Sequence, residues 1–346
     1  MDLYDIKSYN YPIPQELIAQ NPPLSRDGSR LMRVFRSGGQ PEHWYFPSLT
    51  SLLHAGDLLV LNDTRVFRAR VLGKKIPGGA GVEIFFLSPG EDANTWVVLA
   101  RPGRKLTPGS VVETESGEII HIEKRLSDGR RLAIVPENIS PYAFFERCGQ
   151  VPLPPYIKNA DIPEERYQTV YADQAKKHSV AAPTAGLHFT WELLEKIKKL
   201  GIDIEFLTLD VGIGTFRPVK VDNIEDHAMH SERCEISEQC ADSVNLAKSQ
   251  GRRIVAVGTT VVRVLESFTD KNGMVSPGSK ETDLFIKPGY SFKIPDAIIT
   301  NFHLPQSTLL VLVAAFAGYE NTMNAYAEAI RSRYRFFSFG DAMFIE

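Results

Sequence analysis

The chain has 346 residues, of which 43% are hydrophobic and 23% charged. This balance excludes a disordered protein, and the length favours two domains or one domain with a large insertion over a single domain of roughly 100–200 residues. The formal net charge of −3 excludes the overall basic character that nucleic-acid-binding proteins usually carry, so any RNA contact must come from local patches.

Membrane insertion and export are not expected. The longest apolar run, residues 309–318, is shorter than the ~20 residues of a membrane helix, and the N-terminal residues lack the basic and apolar regions of a signal peptide. Cys148, Cys234 and Cys240 have no CxxC spacing, so we predict three reduced thiols and no structural zinc. These features indicate a cytoplasmic protein.

The first sixty residues have a mixed pattern. It predicts a short helix at 14–20, a strand at 30–35, a helix around 48–54 and an apolar strand at 57–62. From 65 to 136 the pattern changes to six short β-type runs separated by Gly, Pro, Asp and Ser turns, at 66–72, 81–87, 96–100, 111–114, 118–124 and 131–135. Six short strands without a helix predict a small antiparallel β-barrel inserted after Asp63.

A proline-rich connector follows the β-runs. Pro141 and the prolines of 151–157 fix φ, so no helix is expected there, and we interpret the stretch as the return linker. The domain boundaries are therefore 64–150 for the barrel with its linker, and 1–63 with 151–346 for a discontinuous main domain.

Beyond the linker, helices and strands alternate, which predicts a mixed α/β main domain. Thr190 is a good N-cap for a first helix with Gly201 just past its end. The further elements, in chain order, are a strand at 202–211, a helix at 238–250, a strand at 253–257, a helix opened by Thr259 or Thr260, a strand at 297–302, a helix begun near Ser307 and a terminal helix at 321–333.

Three segments share one design, in which an apolar strand ends, small or polar residues follow, and a helix begins with a hydroxyl cap. They are 180–190, 254–260 and 298–307. Ligands bind outside the carboxyl ends of strands in open α/β sheets, and helix N-termini present free N–H groups to anions. We therefore expect the chemistry at these junctions.

Gly258, Thr259 and Thr260 suit a carboxylate or ribose hydroxyls, although a Gly-Thr-Thr turn is also an ordinary way to cap a helix. His188 and His303 each lie between apolar neighbours in a junction. This position suits a general acid or base with a near-neutral pKa, and it equally suits a hydrogen-bonded structural histidine.

Two other motifs are weak signals, one for metal binding and one for S-adenosylmethionine binding. His227, His230 and Glu232 superficially resemble a metal site, but HExxH is absent and no further ligand is evident, so no metal is predicted. The acidic, glycine-rich loop 210–216 looks like that of a methyltransferase. Pro218, however, follows where such a loop should open a helix, so a methyltransferase remains only the competing hypothesis.

Arginines and aromatic residues alternate near the end of the sequence. Arg331, Arg333 and Arg335 interleave with Tyr334, Phe336 and Phe337, a pattern suited to phosphate contact and base stacking. The alternative is a solvated basic face beside core aromatics.

Many segments together resemble one family, the S-adenosylmethionine:tRNA ribosyltransferase-isomerases of queuosine synthesis, over nearly the whole length. The similar segments are 17–20, 26–32, 62–66, 167–171, 180–190, 212–219, 229–232, 257–260, 284–290, 300–305 and 334–343. Two departures are visible. Asp210 stands where the family usually has histidine, and His178-Ser179 replaces the usual Gly-Ser.

The resemblance implies an α/β body with an inserted β-barrel, and a monomeric cytosolic enzyme without a metal or cofactor. The implied partners are tRNA carrying 7-aminomethyl-7-deazaguanine at the wobble position and S-adenosylmethionine, which is consumed as ribosyl donor. The implied products are epoxyqueuosine-tRNA, adenine and methionine. An acid near the purine, a base near C5′ and a neutral attacking amine are then needed.

The site residues expected from this resemblance fall into three groups. Catalytic roles fall to His188 and His303 as acid and base in either order, and to Asp63 for holding the amine or orienting a histidine. The donor contacts expected are Gly258, Thr259, Thr260, Gly212, Gly214 and Arg65. The tRNA contacts expected are Arg217, Arg331, Arg333 and Arg335.

Overall fold

A computed structural model describes residues 2–159, 161–212 and 219–346 of the chain. The chain forms two compact units. One comprises Met1–Thr64, Pro154–Lys176 and Ala182–Glu346, and the other comprises Arg65–Leu153 and Lys177–Ala181. Residues 177–181, which the sequence boundaries place in the main domain, pack with the barrel, since Ser179 forms a bridge with Val66 and His178 bonds the Tyr142 hydroxyl.

The described residues contain sixteen strands. In chain order they are β1 (Arg30–Val34), β2 (Glu42–Tyr45), β3 (Leu58–Asn62), β4 (Arg70–Ile76), β5 (Gly81–Pro89), β6 (Thr95–Arg101), β7 (Val111–Thr114), β8 (Ile119–Arg125), β9 (Arg131–Ile134), β10 (Gly149–Gln150), β11 (Asp203–Leu209), β12 (Glu232–Ile236), β13 (Ile254–Val257), β14 (Gly278–Thr282), β15 (Ala297–Asn301) and β16 (Ala342–Ile345).

The same residues contain six α-helices, namely α1 (Pro141–Cys148), α2 (Trp191–Lys199), α3 (Glu238–Ser249), α4 (Thr259–Ser267), α5 (Thr308–Ala317) and α6 (Tyr319–Arg331). Short 3₁₀ turns lie at Ile6–Tyr9, Gln15–Leu17, Phe46–Ser51, Gly103–Lys105, Glu164–Tyr167, Thr184–His188 and Ile224–Asp226. No helix among these is long and apolar enough to cross a membrane.

The α/β unit is built on a mixed sheet of nine strands in the order β14-β12-β11-β3-β13-β15-β16-β1-β2. Its four central strands β11, β3, β13 and β15 run parallel. Every residue of β3, β13 and β15 is buried, as expected for strands covered on both faces. The carboxyl ends of these four strands consequently meet along one edge of the sheet.

The second unit is a closed antiparallel barrel. Strands β4-β5-β6-β9-β8-β7 pair in that order, and β7 pairs back to β4, so the barrel leaves no open edge. Its interior is filled by aromatic side chains that pack edge to face, among them Phe86, Trp96 and Phe145. The predicted α/β fold with an inserted small antiparallel β-barrel is confirmed.

Several local expectations were wrong. The helices expected at 14–20 and around 48–54 are short 3₁₀ turns, Gln15–Leu17 and Phe46–Ser51, and no strand leads into the junction 180–190 within the described residues. Pro141 does not exclude a helix but begins α1, with the Ser140 hydroxyl accepting from the Ala143 N–H, because proline at the first helical position loses no hydrogen bond. The helix after β13 has Gly258 as its N-cap and no side-chain cap. The threonine hydroxyls beside it are therefore not used for capping.

Candidate active site

A cavity opens where β13 and β15 end. All of its lining residues belong to the α/β unit. They include 182–185 from the first junction, 258–260 from the second and 300–304 from the third. The three junctions that the sequence singled out therefore share one cavity.

Gly258 makes the turn from β13 into α4. Its φ is 97°, in the left-handed region where a side chain is strained, and a Cβ built there would make only ordinary contacts. The turn exposes the N–H groups of the first turn of α4, which have no acceptor within the helix. Thr259 and Thr260 line the cavity beside them, and Thr260 Oγ1 accepts from Asn62 Nδ2 at 3.4 Å.

His303 lines the cavity and is 8% exposed. Its Nε2 lies 2.8 Å from the Thr300 hydroxyl, and its backbone N–H donates to the Tyr326 hydroxyl over 2.8 Å. Within the described part of the chain, Nδ1 of His303 makes no hydrogen bond. Burial lowers the pKa of His303 to about 3, so the ring is neutral at pH 7, in contrast to the near-neutral pKa expected from the sequence.

His188 is buried behind the cavity wall and does not line it. Its ring stacks on Phe46 with centroids 4.8 Å apart, and both ring nitrogens are engaged. Nδ1 lies 2.7 Å from the Ser29 hydroxyl and Nε2 lies 3.1 Å from Asn301 Nδ2. Burial, and secondarily the charge of Arg335, lowers its pKa to about 3. His188 is therefore connected to the cavity by its hydrogen bond to Asn301, which lines it.

Asn301, at the end of β15, was not singled out by the sequence. Its amide nitrogen faces three acceptors, namely His188 Nε2 and the backbone oxygens of Phe337 and Asp341. Its Oδ1 is buried without a hydrogen-bond partner in the described part of the chain. Asn301 also lines the cavity, so its side chain lies beside the space where a ligand would bind. The signal in the sequence was an amide side chain at the end of a completely buried strand.

Tyr156 and Ser338 also line the cavity and were missed. Their hydroxyls lie 2.7 Å apart, and burial raises the pKa of Tyr156 to about 12. Tyr156 lies in the proline-rich segment that the sequence indicated only as a linker. The signal there was an aromatic residue at the end of a proline run.

Asp63 lies in a different cavity, whose lining includes Lys176, residues 205–207 of β11 and Glu235 of β12. Its carboxylate pairs with Lys176 Nζ at 2.7 Å and accepts from the Thr208 hydroxyl at 2.7 Å. Burial raises the pKa of Asp63, and these two partners oppose the rise. The structure does not bring Asp63 together with His303 in one cavity.

Gly212 is held by a buried ion pair. Its N–H donates to Glu232 Oε1 over 2.7 Å, and Glu232 pairs with Arg263 of α4, with both side chains about 5% exposed or less. Val211, the preceding residue, lines the cavity. Gly214 and Arg217, also expected at the site, lie outside the described residues.

The other arginines expected at the site do not line the cavity. Arg65 belongs to the barrel unit. Arg331 is exposed and pairs with Glu328, Arg333 is exposed, and Arg335 donates to the backbone oxygen of Asn21. The neighbouring Tyr334 and Phe336 are buried core residues, whereas Phe337, also buried, lines the cavity. Contact of this segment with tRNA stays a prediction.

No group of three or more His, Cys, Asp or Glu side chains that could hold a metal ion occurs among the described residues. Glu232, one of the three residues of the superficial metal motif, is instead engaged by Arg263 and Gly212. The arrangement at the cavity is therefore one of hydrogen-bonding groups and a neutral imidazole in a mostly apolar wall.

A family model described as queuosine biosynthesis protein matches residues 6–345. The chain belongs to this family. It is 49% identical over 341 residues to the S-adenosylmethionine:tRNA ribosyltransferase-isomerase of Halothermothrix orenii, covering 98% of this chain and 99% of the relative. It is 50% identical over 346 residues to the enzyme of that name from Heliobacterium modesticaldum, covering 99% of each.

A solved structure supports the same assignment. The crystal structure of S-adenosylmethionine tRNA ribosyltransferase from Thermotoga maritima matches with a TM-score of 0.56 at 36% identity, covering 98% of this chain and 100% of that chain. The family resemblance seen in the sequence motifs is confirmed, as is the expectation of an enzyme of the transferase class.

Proposed function

We propose that the protein transfers and isomerises the ribosyl group of S-adenosylmethionine onto 7-aminomethyl-7-deazaguanine at the wobble position of tRNA. The products are epoxyqueuosine-tRNA, adenine and methionine. The observation that carries the proposal is the single cavity walled by three family segments, 180–190, 257–260 and 300–305. The relatives' names supply the reaction class, and the cavity supplies groups suited to the donor.

The methionine carboxylate binds at the first turn of α4. Free N–H groups at a helix N-terminus attract an anion, and the hydroxyls of Thr259 and Thr260 add hydrogen bonds beside them. Gly258 allows this turn because its backbone is left-handed. The donor is thereby held at its charged end.

The adenine lies toward Asn301. The 6-amino group of adenine is a hydrogen-bond donor, and Asn301 Oδ1 is a buried acceptor without a protein partner. Pairing them removes the cost of an unsatisfied buried polar atom, about 1–3 kcal/mol. His188 holds the Asn301 amide in this orientation through its Nε2, which makes His188 a positioning residue.

His303 is the proton acceptor. The positive sulfonium acidifies the C5′ protons of the ribose, and a neutral imidazole with an unoccupied nitrogen can take one of them. The resting pKa of about 3 keeps the ring neutral.

Product analysis separates this function from its competitors. Incubation with S-adenosylmethionine and tRNA bearing 7-aminomethyl-7-deazaguanine should release adenine and methionine. A methyltransferase built on Asp210 would release S-adenosylhomocysteine instead, and a non-catalytic RNA-binding protein would consume no donor. Asp210 already accepts a hydrogen bond from the Thr64 hydroxyl at 2.8 Å, which favours a structural role for this carboxylate.

The reaction takes place in the cytoplasm, where tRNA is modified, and a single chain suffices for it. Sedimentation of the active enzyme with and without tRNA tests this part of the proposal. A mass of one chain per tRNA is expected.

A further inference from the structure

The two units of the chain differ in charge. Residues 65–153 and 177–181 contain 14 Lys and Arg against 10 Asp and Glu, a formal charge of +4, whereas the rest contains 25 against 32, a charge of −7. The overall charge of −3 therefore conceals a basic barrel.

The basic side chains of the barrel concentrate at one end. Antiparallel pairing places the last residues of β4, β6 and β8 beside the first residues of β5, β7 and β9. We define the basic end of the barrel by the residues that these strand ends and their turns carry, namely Lys74, Lys75, Arg101, Arg104, Lys105, Lys124, Arg125 and Arg130. The turns at the other end carry acidic residues instead, namely Glu91, Asp92, Glu115 and Glu118.

Arg131 holds this end together. Its guanidinium is buried and donates to the backbone oxygens of Gly103, Leu106 and Gly129, which ties the turn after β6 to the turn between β8 and β9. Lys75 Nζ donates to the backbone oxygen of Lys105 over 2.9 Å, which ties β4 to the same turn. Three segments thus present their basic side chains in a fixed arrangement.

Most of these charges are free of acidic partners. Arg130 pairs with Asp128, but Lys74, Arg101, Arg104, Lys105 and Arg125 form no ion pair within the described residues, and all five are exposed. Burial, and secondarily the charge of Arg125, lowers the pKa of Arg131. Basic side chains therefore outnumber acidic ones at this end of the barrel, which favours an anionic partner.

We infer that the basic end of the barrel binds the sugar-phosphate backbone of the tRNA substrate. This inference rests on the proposed function for the identity of the RNA. Phosphates match exposed, unpaired Arg and Lys side chains spread over three tied segments, and backbone contacts of this kind need no base recognition. The segment 331–335 is less suited, because Arg331 is paired with Glu328 and Arg335 with a backbone oxygen.

The test uses the full chain, an unmodified tRNA transcript and binding measured over a range of salt concentrations. Arg104→Gln with Lys105→Gln removes two charges from the basic end. The matched control, Lys198→Gln with Lys199→Gln, removes two exposed charges from α2 of the α/β unit. Thermal melts establish that both variants fold.

The slope of log K against log salt should become shallower by about 1.4 to 1.8 in the barrel variant, since each phosphate contact contributes roughly 0.7 to 0.9. Its affinity should fall about tenfold or more at low salt, while the control binds like the wild type. Equal losses of tRNA affinity in both variants, or wild-type affinity in the barrel variant, would overturn the inference. The basic end would then be assigned to binding an acidic protein.

Adenine release at saturating modified tRNA separates this inference from the proposed function. The barrel variant should keep the wild-type kcat and show a raised KM for tRNA. If the wild type releases no adenine, the proposed reaction fails, whereas the salt dependence of tRNA binding still decides the role of the basic end.

Discussion

The amide nitrogen of Asn301 donates to Nε2 of His188 across 3.1 Å. The backbone oxygens of Phe337 and Asp341 beside the same nitrogen fix which end of the amide faces the ring. His188 must then carry its proton on Nδ1, where the Ser29 hydroxyl accepts it at 2.7 Å. The histidine is a fixed neutral acceptor that orients a cavity residue.

This relationship predicts that His188→Gln is tolerated far better than His188→Ala. A glutamine oxygen can replace Nε2 as the acceptor for Asn301, whereas alanine leaves the amide without that partner and creates a cavity. We expect kcat/KM within about tenfold of the wild type for glutamine and about a hundredfold lower or more for alanine. Equal, near-complete losses in both variants, with both proteins folded, would instead assign proton transfer to His188.

Asn301→Ala should raise the KM for S-adenosylmethionine by about tenfold to a hundredfold, the effect of losing one buried hydrogen bond. The matching change in the substrate is an S-adenosylmethionine analogue with hypoxanthine in place of adenine, in which an oxygen replaces the 6-amino group. The wild type should discriminate against this analogue, and the variant should not. Additive effects of the two changes would place the adenine elsewhere.

Gly258→Ala should lower the free energy of unfolding by about 1–2 kcal/mol, because alanine is strained in a left-handed backbone. Denaturant titration measures this loss. Gly273, with a φ of 82° and open space around it, provides the matched control. Gly273→Ala should cost a similar amount of stability, but only Gly258→Ala should raise the KM for the donor.

The two buried histidines predict a loss of stability in mild acid. Their pKa values of about 3 in the folded protein lie below the ordinary value, so the unfolded chain takes up protons first. The stability gained by burying the rings in the neutral form is fully present above pH 6.5. As the pH falls from about 6.5 to 3, the free energy of unfolding decreases by about 1.4 kcal/mol per pH unit for each ring. The free energy of unfolding, measured by denaturant titration at pH 6 and at pH 5, should differ between the two pH values by about 1.4 kcal/mol less in His188→Gln than in the wild type. An unchanged difference would mean that His188 is not neutral in the fold.

Local signals in the sequence were sufficient for much of the fold. Thr190 caps α2 as predicted, accepting from the Leu193 N–H at 3.1 Å, because capping depends on only four neighbouring residues. The six β-runs were recognised because alternation and turn residues are also local. By contrast, four of the five residues of β14 are exposed and none is apolar and large, and it is a strand because β12 pairs with it. Such long-range pairing leaves no local pattern.

The site was predictable to the level of its junctions. Parallel strands bring their carboxyl ends to one edge, so 258–260 and 300–304 share a cavity, and 182–185, which follow no strand, line it as well. The sequence did not distinguish His303, in the cavity wall, from His188 behind it, because both have similar apolar neighbours. The acceptor role of Asn301 was equally hidden, since it depends on where His188, Phe337 and Asp341 converge.

A crystal structure of the protein with bound S-adenosylmethionine would test the location of the site most directly. We predict density in the cavity between β13 and β15, with the carboxylate at the first-turn amides of α4 and the adenine amine within hydrogen-bonding distance of Asn301 Oδ1. Donor density in the cavity lined by Asp63 and Lys176, with the first cavity unfilled, would contradict this account.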